Sequence, residues 1–546
     1  MKNGIYRFSF LLLFLTIASS ASAQSSSDGS NYVMITLALV AALILLGVIL
    51  QVADNMLRIE AKETGADKTG VNYSIFPNFG DMFSPKTPPF VGNAPYFHLK
   101  RGFDIPVEGV PHSEVEEAPR GNTFAIQPPN FIGMSPIPKM EVAVGDEVKA
   151  GDHLFFDKKR PAIHYVAPVS GEVISIDRGA KRSIARVVIL ADKEQKHREL
   201  PSFDEAEGSR EDLVNFLLDT GAWTLIRQRP FDVVPEPTDQ PKAIFVSTFD
   251  SAPLAPNLNL AVRGQEAAFQ KGLDILNKLT EGTVHLGLDA RGDEMPAAVY
   301  SEAQNVQLNW FNGPHPSGNV GVQIHHVDPI NAGEKVWTLS VHDVLVIGRL
   351  FTEGRYNTSR VVALSGSEFK APRYVRTYQG AKIGDLVKEE LTDTKIRLIS
   401  GDLLSGVQKN EEAFLDFYDD QVTSVEEGDH YDMFGWLVPS GIRPSVSRTY
   451  AANVIFSDTK IKVDTNTHGE KRAFVVTGQY EEVLPMDIYP QHLMKAIMAN
   501  DFERMEGLGL YELTEEDLAL CEFACTSKQP LQAILREGLE EMRLQG

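Results

Sequence analysis

MEVAVGDEVKAGDHLFFDKKRPAIHYVAPVSGEVISIDRG, residues 140–179, reads as short strands separated by glycine turns. A valine-rich strand runs into the Gly145-Asp146 turn, and a second strand ends in Leu154-Phe155-Phe156 after Gly151-Asp152. Ala167-Pro168-Val169-Ser170-Gly171 then opens another alternating strand. No stretch here holds a 3.6-residue period, so the interval from His98 to Asp192 is expected to be all-β.

This doubled pattern resembles the barrel-sandwich hybrid of biotinyl and lipoyl carrier domains. In carriers the modified lysine sits at the hairpin tip, which here is Asp157-Lys158-Lys159. A swinging-arm role would place the adduct on Lys158 or Lys159. The tip lacks the methionine that flanks biotin acceptors, which favours structural use of the fold.

Downstream the texture changes. KAIFVST (242–248) is an apolar run suited to a buried strand. EAAFQKGLDILNKLT (266–280) carries apolar residues at 269, 273, 276 and 279, and TVHLGLD (283–289) is the next strand. Strand, helix, strand at this spacing predicts a right-handed crossover and a mostly parallel sheet. KVWTLSVHDVLVIGRL (335–350) and RVVALSG (360–366) are assigned to the same α/β domain. Between them lies Phe311–Gly321, whose glycines at 313, 318 and 321 permit close backbone approach to a planar or anionic ligand. No GxGxxG follows the first strand and no GxxxxGK[ST] occurs, so a nucleotide fingerprint is lacking. His325-His326, read on a strand, face opposite ways and make a poor two-point metal site. APRYVRTYQGAKIGDLVKEEL (371–391) resembles the small soluble-ligand-binding β-grasp module. Residues 481–542 are helical in period and acidic.

The 52 basic and 74 acidic residues give a formal charge of -22, which disfavours a nucleic-acid partner. Only Cys521 and Cys525 are present, one helical turn apart behind a Thr514/Asp517 capping pair; buried reduced thiols are expected in preference to metal ligation.

Residues 1–23 read as a signal-like segment: Lys2 and Arg7, then FSFLLLFLTI, then Ala21-Ser22-Ala23. Tyr32–Ala53, 22 residues without a charge, is long enough for one transmembrane helix. Arg58, Lys62 and Lys68 follow it, which points the body to the cytoplasmic side. The apolar segment offers no polar path for an ion, so a tether is expected there. The proline-rich stretch to residue 95 is read as a linker.

KRGFDIP (100–106), GDEVKAGDHLFFDKK (145–159), APVSGEVISIDRGAKR (167–182), RPFDVVP (229–235), KAIFVST and FNGPHPSG (311–318) occur in this order. RVVALSG, RLISGDLLSG (397–406), FGWLVP (434–439), LPMDIYP (484–490) and LYELTEEDLALCEFAC (510–525) follow. Together they resemble the A-subunit family of the sodium-translocating NADH:quinone oxidoreductase, from about His98 to the C-terminus.

The resemblance implies an α+β multidomain chain. It comprises the barrel-sandwich hybrid (96–195), a Rossmann-like α/β domain resembling the complex I flavoprotein subunit (196–368), an SLBB-like β-grasp module (369–430) and a helical C-terminal region (431–546). It implies a place in a complex with the B to F subunits, one that uses NADH, quinone and sodium at the inner membrane. The FAD, FMN, riboflavin and iron–sulfur centres belong to those other subunits, and no cofactor is expected in this chain. Residues 1–95 are then an addition to the family pattern, and a tether would raise local concentration beside the membrane partners. Quinone-binding candidates are Arg229 with Phe231, and the Gly313–Gly318 loop with His315; no residue is assigned acid–base work. A ligand-free scaffold role and a covalent carrier are the competing readings.

Overall fold

The computed structural model describes residues 29–63, 87–118, 122–205, 207–388, 390–392, 394–431, 443–446 and 459–545. The signal-like segment, most of the proline-rich stretch and FGWLVP lie outside these. The chain divides into two compact units, residues 1–87 and 88–546.

Among the described residues of the first unit an α-helix spans Gly29–Glu63. Leu39, Leu43, Ile44, Leu45, Leu46, Val48, Ile49 and Val52 are exposed along it. Among the described residues no helix is long and apolar enough to cross a membrane.

Among its described residues the second unit holds four sheets. The all-β reading of residues 140–179 matches two antiparallel layers. One is Lys139–Met140, His153–Asp157 and Arg160–Val166; the other is Thr123–Ile126, Ile184–Ala191, Gly171–Arg178 and Glu147–Val148. Leu154, Phe155, Ile163, Tyr165, Val173, Val187 and Ile189 fill the core between them. Lys158 and Lys159 stand exposed in the turn between the strands His153–Asp157 and Arg160–Val166.

The α/β sheet has the order Tyr96–His98, Gln307–Asn312, Thr283–Asp289, Ala243–Ser247, Val336–Leu339 and Arg227–Arg229. All neighbours are parallel except the last pair. The helix expected from the apolar spacing forms at Glu266–Asn277, and Phe269, Leu273, Leu276 and Leu279 are all fully buried. It packs on Val341–Thr352. At that crossing a Cβ on Gly348 would lie 1.8 Å from the Ala268 carbonyl oxygen, and one on Gly272 would lie 2.3 Å from that of Val344.

Two expectations are corrected, for RVVALSG and for His325-His326. RVVALSG does not extend the α/β sheet: Ser359–Ser365 is an inner strand of the β-grasp sheet, antiparallel to Arg373–Tyr378 and parallel to Gln421–Glu426. Within the interval 96–195, the strands Tyr96–His98 and Val115–Glu117 pair outside the two hybrid layers, with Gln307–Asn312 and Arg373–Tyr378 respectively. Backbone pairing partners 200 residues downstream are invisible to local pattern. His325 and His326 sit on a helix, Val320–Val327, rather than a strand. His325 Nδ1 donates to Glu512 Oε2 at 2.7 Å, and its Nε2 accepts from the Asp487 amide; His326 Nε2 donates to the Pro485 carbonyl at 2.7 Å.

The C-terminal helices Pro490–Met498, Phe502–Gly507, Glu515–Ala524 and Leu531–Gln545 share one apolar cluster with Leu99, Ile105, Phe249 and Phe311. The Thr514/Asp517 capping box forms as expected. Cys521 and Cys525 are buried free thiols; Tyr480 donates its hydroxyl to Cys525 Sγ at 2.9 Å, and burial pushes the Cys521 thiol well up. Because the two crossing helices meet backbone to backbone, Gly348→Ala is expected to overpack the contact and lower stability by about 1–3 kcal/mol. Urea denaturation reads this directly.

Candidate functional site

The α/β sheet changes direction at its middle strand. From Ala243–Ser247 the chain moves outward on one side through Thr283–Asp289 to Gln307–Asn312, then returns to the other side as Val336–Leu339. The two loops leaving adjacent strands at such a reversal diverge, and a crevice opens at the carboxyl ends of the strands. A cavity of about 170 Å³ lies there. Ser247, Phe249 and Asp250 follow the first strand, Thr338 to Ser340 close the second, and His315 to Val320 bring in the glycine loop. Asp402, Tyr418 and Asp420 come from the β-grasp part, and Glu516 and Ala519 from the C-terminal helix.

His315 is 3% exposed. Its Nδ1 lies 3.1 Å from Ser251 Oγ, which itself accepts the Gly318 amide at 2.8 Å. Nε2 has no partner among the described residues. Burial lowers the His315 pKa to about 4, against the opposing pull of Asp402 and Asp104, so the ring is neutral at physiological pH. Burial, then the Asp402 charge, raises Asp250 to about 7. Arg227 lines the same cavity with its guanidinium 5.0 Å over the Tyr418 ring.

Of the sequence candidates, His315 and Gly318 line the cavity. Gly318 belongs there for a steric reason: a Cβ would meet the Ser251 amide nitrogen at 2.6 Å. Gly313 serves the sheet edge instead, where a Cβ would lie 2.5 Å from the Leu99 carbonyl oxygen. Arg229 is 2% exposed and reaches the cavity only through a partner: it binds Glu516 Oε1 at 2.6 Å and the fully buried Asp517 Oδ2 at 2.8 Å. Phe231 packs edge-on against Tyr511, and its carbonyl accepts from Arg536. Arg227, Asp250, Asp402, Asp420 and Glu516 are not singled out by the sequence. Asp250 alone has a local signal, standing two residues beyond the buried run KAIFVST.

The crevice is small beside the ~300–1,000 Å³ typical of drug-sized ligand sites, and its acidic lining opposes a pyrophosphate. Fold and crevice define a multidomain protein of mixed α/β content, with room for one ring rather than a dinucleotide.

Residues 97–192 match the family described as the NqrA N-terminal barrel-sandwich hybrid domain, 208–356 the NqrA second alpha/beta domain, and 361–410 the NQRA C-terminal domain. The A subunit of the Na(+)-translocating NADH-quinone reductase of Psychromonas ingrahamii is 38% identical over 454 residues, 82% of this chain and 99% of its own length. That of Neisseria meningitidis serogroup B is 37% identical over 452 residues, and that of Vibrio alginolyticus 38% over 456, each with the same coverage. The chain belongs to the A-subunit family of the Na(+)-translocating NADH-quinone reductase. A solved NAD+-reducing [NiFe]-hydrogenase overlaps 62% of this chain and 61% of its own at 13% identity, with a TM-score of 0.32 too low to argue from.

Removing the cation from the Arg229 cluster leaves Asp517 buried and unpaired. Arg229→Ala is expected to destabilise the fold by about 3–5 kcal/mol, read by chemical denaturation.

Proposed function

We propose that this chain acts as the A subunit of a sodium-translocating NADH:quinone reductase (EC 7.2.1.1), active only within the complex, and that its crevice receives a quinone headgroup. Electron transfer from NADH and sodium export belong to the assembly with the B to F subunits. The flavins and iron–sulfur centres are carried by those partners. The observation that carries the quinone reading is the unpartnered Nε2 of His315, a residue of the cavity lining. A quinone carbonyl is an uncharged acceptor, and a neutral imidazole donor beside Phe249 and Leu339 matches it without a desolvated charge. Arg229 supports the site by holding Glu516 in place, Gly318 by admitting Ser251 against the loop, and Phe231 and Gly313 by shaping the flanking backbone.

A photoreactive quinone analogue, applied to the assembled complex, is expected to label peptides within 247–258 or 313–320 and to be displaced by unlabelled quinone. His315→Leu removes one neutral hydrogen bond, about 1 kcal/mol, and weakens the displacement several-fold. Absence of displaceable label on this chain would favour the scaffold reading instead.

The helix Gly29–Glu63 supports a single-pass anchor over 32–53, with the body on the cytoplasmic side: apolar side chains at 43, 44, 45 and 46 point around its whole circumference and remain exposed. As a tether it contributes attachment and no redox chemistry. Deleting residues 1–57 leaves turnover of the preassembled complex unchanged; loss of a redox step would contradict the tether.

A further inference from the structure

On the outer face of the barrel-sandwich hybrid, the strand His153–Asp157 pairs with Arg160–Val166 through Phe156↔His164 and Phe155↔Tyr165, and then directly through His153↔Val166. The skipped residue, Leu154, makes a β-bulge. In an unbroken ladder His153 and His164 would point to opposite faces of the sheet; one extra residue reverses that, a recognised way of re-aiming a side chain. The two imidazoles therefore stack on the same face with ring centroids 4.0 Å apart. Glu141, fixed beside them by its amide bond to the Leu154 carbonyl, puts Oε2 3.2 Å from His164 Nδ1 and 3.9 Å from His153 Nδ1.

We propose that Glu141, His153 and His164 form a site for one divalent transition-metal ion of the zinc class. Among the described residues this is the one group of three or more His, Cys, Asp or Glu side chains whose ligand atoms converge, all within 4.8 Å of one another. Donors around a tetrahedral ion at ~2.0–2.1 Å stand about 3.4 Å apart, so the observed separations close on an ion with sub-ångström side-chain shifts. The partner of the other His153 nitrogen argues the same way. Nε2 lies 2.7 Å from the Asp219 carbonyl oxygen, which holds the ring with Nδ1 3.9 Å from Glu141 Oε2. A backbone carbonyl orienting the remote nitrogen is the usual support for a metal-bound histidine. Arg198 Nη1 lies 2.8 Å from the same nitrogen and donates to the Asp219 carbonyl at 2.8 Å, while its Nη2 pairs with the Asp219 carboxylate at 3.0 Å.

Access and coordination number also fit. The three side chains are between a fifth and a third exposed, and a hollow of about 430 Å³ bordered by His153, Asp146, Glu147 and Arg198 opens beside them. Two imidazoles and one carboxylate leave a fourth position for water or for a ligand from a neighbouring protein of the complex.

Cobalt(II) serves as the spectroscopic probe. The full chain, stripped with chelator and desalted, is expected to bind one equivalent of Co²⁺ with visible d–d bands. His164→Ala and Glu141→Gln should weaken that binding by about tenfold or more. His492→Ala, which removes an exposed histidine from the helix Pro490–Met498, should leave it unchanged. Metal-free melting curves separate ligand loss from misfolding: His164→Ala should melt like the wild type. If wild type binds no cobalt, or if folded His164→Ala and Glu141→Gln bind it as tightly as wild type, the site does not exist.

Discussion

Arg229 ties the α/β sheet to the C-terminal helices. It is buried, stands on the antiparallel edge strand of the α/β sheet, and grips two consecutive carboxylates at the start of the helix Glu515–Ala524. Asp517 also closes that helix's capping box, so one carboxylate ends a strand-to-helix ion pair and satisfies orphan amides at once. Gly321 makes the arrangement possible, because a Cβ there would lie 2.2 Å from Arg229 Nη1 and 2.4 Å from Asp517 Oδ2. Around this pair Asn319 donates to the Glu516 carbonyl, Glu512 accepts from His325, and Arg536 grips Glu515. A buried ion pair of this kind is a weak source of net stability but a strong determinant of which surfaces meet.

The crevice is the product of that docking. The sheet reversal alone gives an open cleft; the helix carrying Glu516 and Ala519 forms one wall and the β-grasp residues Asp402, Tyr418 and Asp420 another. Three sequence-distant parts thus supply its acids, and mutual repulsion with burial keeps Asp250 protonated to about neutrality. Such a lining tolerates a neutral ring and rejects phosphate, which agrees with the absence of any phosphate-cradling loop in the sequence.

The elements governed by local period are legible from the residues. The strands of 140–179, the helix with Phe269, Leu273 and Leu276 on its buried face, and the Thr514/Asp517 cap all follow from alternation, 3.6-residue spacing or cap chemistry. What depends on distant pairing is not. RVVALSG is as apolar as any α/β strand, and nothing in its composition tells which sheet it joins. His325-His326 follow a glycine loop and read as strand, whereas the loop ends in a helix docked on Glu512. Gly321 reads as room for an anionic ligand; the anion is the protein's own Asp517. Of the crevice, the sequence shows the glycine loop and His315, while its acidic groups are scattered through other elements far along the chain.

The strands Tyr96–His98 and Val115–Glu117 are stitched into sheets whose other strands are made much later. During synthesis the first must wait for Gln307–Asn312 and the second for Arg373–Tyr378, while the barrel-sandwich hybrid between and after them pairs almost wholly with itself. At about 5–20 residues per second the delay for the first strand is on the order of ten to forty seconds. The nascent chain therefore carries a finished β-module followed by growing, edge-exposed sheet, with its leading segment dangling until the α/β layer emerges to capture it. The outer edge of that layer is therefore completed late in folding rather than early.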